Sequence, residues 1–132
     1  MKTHALRLAP GLDLKRSLDA LAQSKGLQAG CVLTCVGSLA QATLRLADQD
    51  HLSTFNGPFE IVALVGTFSV DGSHLHIAIS DAEGKMLGGH LVEGCPIYTT
   101  AEIVVGELEG LRFTRPLDPR TGYDELLIEP VV

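Results

Sequence analysis

There is no tryptophan in this sequence, and only two tyrosines and four phenylalanines. Any core must therefore be assembled mainly from Val, Ile, Leu and Ala, and few flat rings are on hand for stacking nucleic-acid bases. Positive charge is scarce as well. Ten Lys and Arg stand against 16 Asp and Glu, a formal net charge of −6, so the average field repels phosphate polyanions and anionic membranes. The pairs Lys15 with Arg16 and Arg112 with Arg115 lie in mixed segments and read as solvated surface charge. No apolar run approaches the roughly 20 residues that span a bilayer, and the first residues show no secretory signal. Cysteine is rare and odd in number, three in all. Cys31 and Cys35 have neither a zinc-knuckle nor a thioredoxin spacing, and Cys95 precedes Pro96. All three read as small buried hydrophobes in a reducing compartment, and the expected location is the cytoplasm, with no membrane attachment.

What is present is an ordinary globular composition, 45% hydrophobic and 20% charged over 132 residues. That length suits a single domain over 1–132 with one core. Residues 4–8 alternate as a short strand, ended by Pro10-Gly11. From Asp13 onward, Leu14, Leu18, Leu21 and Ala22 recur at helical spacing until Gly26, the one convincing helix in the chain. The period then becomes that of strands: 31–36, 42–47, 59–70, 74–80, 86–92, 99–108, 111–115 and 126–129. Gly37-Ser38 and a polar loop over 48–58 separate the first three, and the turn-rich 118–124 reads as a surface loop. Consecutive strands with short turns imply a mostly antiparallel sheet with one principal helix packed on it, an α+β fold.

The segment that can carry chemistry is 73–80, Ser-His-Leu-His-Ile-Ala-Ile-Ser. Side chains alternate along a strand, so Leu75, Ile77 and Ile79 share one face while His74 and His76 point together from the other. Beyond Ser80, Asp81-Ala-Glu-Gly-Lys85 suits a three-residue hairpin loop with Gly84 at the positive-φ position. That loop places His76 directly opposite His90, with Cβ atoms about 5 Å apart, and His74 on the diagonal. A two-residue turn would instead put Ile77 opposite His90. Gly88-Gly89 removes side chains where a ligand or another backbone could approach. Three neutral imidazoles without a thiolate suit zinc or another first-row metal such as nickel or copper, and leave a coordination position open. Asp81, Glu60 and Glu102 are the candidates to orient the ligands or move protons. The plain alternative is a His-Leu-His strand that is simply half exposed. Ser38, Ser73 and Ser80 lack a nucleophile elbow, and no catalytic residue is assigned.

Across 57–105, Gly-Pro-Phe-Glu-Ile, Gly66, Gly-Ser-His-Leu-His, Ser80-Asp81, Gly-Gly-His-Leu and Thr-Thr-Ala-Glu-Ile-Val occur in one order. Together with Arg7-Leu8, Pro10-Gly11, Val36-Gly37-Ser38 and Asp-Pro-Arg-Thr-Gly near the end, they closely resemble the plants-and-prokaryotes-conserved (PPC) domain over nearly the whole chain. The resemblance implies an α/β sheet domain that forms homotrimers. In some prokaryotic members it implies a metal held by histidines that match His74, His76 and His90. A trimer interface would also cover the apolar residues on both faces of 61–68, which one helix cannot; the alternative is a central strand covered by loops. Plant members carry the domain beside AT-hook segments. This sequence has no such hook, so DNA binding is not carried over. Three functions are thus weighed. The first is a homotrimeric, zinc-binding or similar metal protein with a small-molecule ligand at the open position. The second is a metal-dependent hydrolase or lyase on a small molecule, and the third a DNA-associated regulator by analogy with the plant relatives.

Overall fold

A computed structural model describes residues 1–132. Its single helix, α1 (Leu14–Lys25), starts where Asp13 accepts the Arg16 N–H and stops at Gly26 in the left-handed conformation. Leu14, Leu18 and Ala22 form its buried stripe. The other oxygen of Asp13 accepts the N–H groups of Gly94 and Cys95, both at 2.8 Å, so one carboxylate caps the helix and ties it to a distant loop. No helix of the chain is long and apolar enough to cross a membrane.

Strands make up most of the remainder: β1 (Lys2–Leu8), β2 (Gly30–Arg45), β3 (Leu52–Ser69), β4 (Gly72–Ser80), β5 (Met86–Leu91) and β6 (Ile97–Glu107). They form one antiparallel sheet in the order β1-β6-β2-β3-β4-β5. The sheet closes on itself because the end of β2 also pairs with β5, Leu44 opposite Leu91 and Arg45 opposite His90. Around the closed part lies a core of aliphatic side chains, with Leu39, Leu44, Phe68, Leu75, Ile79, Leu91, Ile103 and Val105 facing the helix stripe. A second layer of short strands follows: β7 (Leu111–Thr114), β8 (Leu117–Asp118), β9 (Tyr123–Asp124) and β10 (Leu127–Pro130), with β7 paired to β10 and β8 to β9. The architecture is the expected α+β one, mostly antiparallel sheet with one helix.

Two expected boundaries differ. Gly37-Ser38 is not a turn between strands. It lies inside β2, where the pairing with β6 shifts register between Gly37 and Leu39, so the strand bends and continues. The expected loop over 48–58 also shrinks, since β3 already begins at Leu52. Thr54 and Phe55 pair with Thr43 and Ala42, and Thr54 and Asn56 are exposed while Ser53 and Phe55 turn partly inward. Polarity there marks a solvent face, not a loop. Cys35 and Cys95 are buried and free, and burial pushes both thiols up to about 11. They are inert packing groups, as their sequence setting implied.

Candidate metal centre

The β4–β5 hairpin has the register that its loop chemistry dictates. Gly84 adopts φ +78°, Asp81 and Lys85 are joined by a main-chain hydrogen bond, and His76 stands opposite His90. Leu75, Ile77 and Ile79 enter the core while His74 and His76 point outward. The glycine pair before His90 serves backbone packing. A Cβ at Gly88 would strike the carbonyl of Ile77 in β4, and one at Gly89 the carbonyl of Arg45 in β2. Two residues without side chains thus let β5 fit between its neighbours and complete the closure.

The three imidazoles converge. One ring nitrogen from each lies within 4.8 Å of the others, and the Nε2 atoms of His74 and His76 are 3.1 Å apart. Two nitrogens bound tetrahedrally to one zinc would be about 3.3 Å apart, given Zn–N lengths of about 2.0–2.1 Å. His90 has a buried Nδ1 with no hydrogen-bond partner, the kind of orphaned group that calls for an explanation. Burial, with the positive charge of Arg45 next, holds His90 down to about 4. Burial, then His76 and Arg115, also lowers His74, with Glu125 acting in the opposite direction. These two rings are therefore neutral near pH 7 and have lone pairs to offer. The donor set, its spacing and the orphaned nitrogen fit a divalent first-row ion.

The three carboxylates expected beside the histidines sit elsewhere in the single chain. Asp81 is occupied within the hairpin loop, where Oδ1 accepts from Glu83 and Lys85 N–H at 2.9 Å each. Glu60 is exposed opposite Ser80, four residues along the strand from His76, or about 13 Å. Glu102 is exposed on β6 opposite Val36, nine residues along β2 from Arg45, the partner of His90, or about 30 Å of strand. Ser38 is hydrogen-bonded to Thr99 at 2.7 Å. Ser73, by contrast, holds a buried hydroxyl with no partner beside His74.

What surrounds the cluster instead is Arg45 and Tyr123, which carry no signal in the sequence, and Arg115, expected as solvated surface charge and in fact half-buried. Arg45 is the cross-strand partner of His90, and its guanidinium lies over the Tyr123 ring, 5.7 Å from the centroid. Arg115 donates from Nη2 to Thr67 Oγ1 at 2.9 Å, and Thr67 is the cross-strand partner of His74. Together with Glu125, these residues wall two adjoining depressions, of about 600 and 630 Å³, that flank the histidines. That is space for a small molecule.

A model of the Plants and Prokaryotes Conserved (PCC) domain matches residues 1–109. The chain is 56% identical, over 99% of its length, to part of the bifunctional protein GlmU of Synechococcus sp. strain JA-2-3B'a(2-13). It spans about a fifth of the length of that relative and of a second cyanobacterial GlmU, 21% in each case. A hypothetical protein from Salmonella enterica superposes with a TM-score of 0.96 at 43% identity, covering 99% of this chain and 95% of that one. The metal-containing protein AF0104 of Archaeoglobus fulgidus superposes with a TM-score of 0.83 at 27% identity, covering 96% and 94%.

Proposed function

Because this chain belongs to the Plants and Prokaryotes Conserved domain family, we propose that it is a metal-binding member, holding one divalent first-row ion, zinc for preference, on His74, His76 and His90. The observation that carries this reading is the convergence of three imidazole nitrogens within 4.8 Å, two of the rings held neutral by their surroundings. The metal-containing Archaeoglobus protein of the same fold supports it. Once bound, such an ion has a free coordination position at which water or a small ligand is polarised. The chain's part is to fix the three donors on one hairpin and to hold His74 and His90 unprotonated. Protein purified without a nickel column should carry about one ion per chain, and His76→Ala and His90→Ala should lose it. Metal-free protein of undiminished stability would count against the assignment.

The same reading includes a homotrimer. Val62 and Val65, on the central strand β3, are 53% and 58% exposed, and Val36 on β2 is 55% exposed, an apolar surface that a subunit contact would cover. Light scattering should return three times the 14.0 kDa chain mass; a monomer would refute that part. A hydrolase or lyase is the second reading, favoured by the Glu125 carboxylate that shares a depression with His74. A substrate screen with chelated and remetallated protein separates the two, since no turnover in either form leaves a binding role. A DNA-associated role is the weakest proposal for a chain of net charge −6. Gel shifts at low salt without a complex would retire it.

A further inference from the structure

Two guanidinium groups flank the three histidines from opposite sides, and neither is held in a salt bridge. Arg45 rises from the strand that closes against β5, next to His90, and Arg115 is anchored on Thr67, next to His74. Both are half-buried, yet neither enters any of the salt bridges of the chain. Arg115 spends one side-chain N–H on Thr67, and Arg45 rests on an aromatic face. Each therefore keeps unused donors in a fork that matches a carboxylate. The unpartnered hydroxyl of Ser73 lies on the same wall as Arg115 and His74.

We infer that the basin between Arg45 and Arg115, over His74, His76 and His90, is a binding site for a small organic monocarboxylate, an inference that rests on the metal reading above. Charge selects the class. Lys15, Arg45 and Arg115 face Asp71, Asp124 and Glu125 around the depression beside His74, so its fixed charges cancel. Lys15 is already held by Asp19 at 2.7 Å, and Asp71 accepts the Arg115 backbone N–H at 2.7 Å. A divalent ion on the histidines tips this balance positive inside an acidic protein. Such a field attracts a small anion, and the free forks of Arg45 and Arg115 fit a planar carboxylate; phosphate, which the same forks also accept, is the competitor that titration separates. About 600 Å³ leaves ample space for such a molecule.

Glycolate is a suitable probe, with glycolamide as its neutral counterpart and inorganic phosphate as the competing anion. Each is titrated calorimetrically into cobalt-loaded protein while the visible spectrum of the cobalt is followed. Glycolate should bind at about one per chain and shift the spectrum, and glycolamide and phosphate should bind far more weakly. Arg45→Gln and Arg115→Gln should each weaken glycolate roughly tenfold or more, the loss of a charge-assisted hydrogen-bond pair, at unchanged cobalt content and with the melting temperature lowered by no more than a few degrees. Arg115→Lys, which keeps charge but not the fork, should fall between. Full cobalt content without glycolate binding, or glycolate binding equally tight in both glutamine variants, overturns this inference and leaves the metal reading standing. Tighter binding of phosphate than of glycolate overturns the choice of ligand class. If the protein takes up no cobalt, the metal reading fails by itself. The same titration of metal-free protein then decides: binding lost in both glutamine variants upholds the site, and absence of binding overturns it.

Discussion

The hairpin of β4 and β5 and the chain from Leu111 onward meet at one basin, and they are held there by different forces. The hairpin is a ladder inside a closed sheet, its inner face anchored by Leu75, Ile77, Ile79 and Leu91 at 4% exposure or less. The returning segment has one buried apolar anchor, Phe113, whose N–H bonds the Gln28 carbonyl and whose carbonyl accepts from Ser69. Leu117, Tyr123, Leu127 and Ile128 are all exposed. The family match ends at residue 109, so the donors belong to the matched part, whereas Arg115, Tyr123 and Glu125 come from beyond it. A rigid ladder suits a site whose atoms must converge to tenths of an ångström. A lightly held rim suits one that admits a ligand.

Breaking each half should therefore have unequal consequences. The largest effect is expected from Ile79→Ala, which empties a fully buried position of the hairpin. Urea unfolding should show a loss of about 2–5 kcal/mol. Gly88→Ala, whose Cβ would strike the Ile77 carbonyl and push β5 away from β4, should cost less stability but separate His90 from His76, and metal analysis should then find the site empty. Ser69→Ala, which strips the buried hydroxyl that donates to Phe113 and accepts from Asp71, should cost about 1 kcal/mol. It should also raise the proteolytic sensitivity of the C-terminal segment while metal content stays constant. The smallest effect belongs to Tyr123→Ala, about 0.5–1 kcal/mol or less from the lost contact with Arg45.

Acidity sharpens the same contrast, because it acts on the hairpin's histidines. His90 titrates near 4 in the fold against an ordinary value of 6.5. Between those values the unfolded chain takes up a proton that the folded chain refuses. The stability of metal-free protein should thus be full above about pH 6.5, decline as the pH falls towards about 4, and change no further on this account below it. His74 is lowered as well and adds in the same direction. Thermal melts of wild type and His90→Ala across this range check the sign, and the variant should show a shallower decline.

The parts of the molecule that local chemistry determines were readable from the sequence. Asp13 and Gly26 bounded the helix, and Gly84 set a loop whose register brought His90 to His76. Thr54 and Asn56 read as loop because the exposed face of a strand and a loop share a composition. Arg45 carries no signal, and Arg115, expected as solvated surface charge, is half-buried and hydrogen-bonded to Thr67. Their place depends on β2 curling back onto β5 and on the chain returning after β6, which are long-range events with no spacing to betray them. Glu60 and Glu102 do not neighbour the histidines for the converse reason, since each sits at a distant point along its strand, Glu60 opposite Ser80 and Glu102 opposite Val36.

The central claim is that hairpin register alone gathers a three-imidazole metal centre. A crystal of protein never exposed to a nickel column, measured across the zinc and neighbouring first-row absorption edges, tests it most directly. The account predicts one anomalous peak per chain at about 2.0–2.1 Å from a ring nitrogen of each of His74, His76 and His90. No peak there in metal-supplemented crystals, or a peak bound by fewer than all three histidines, would contradict it.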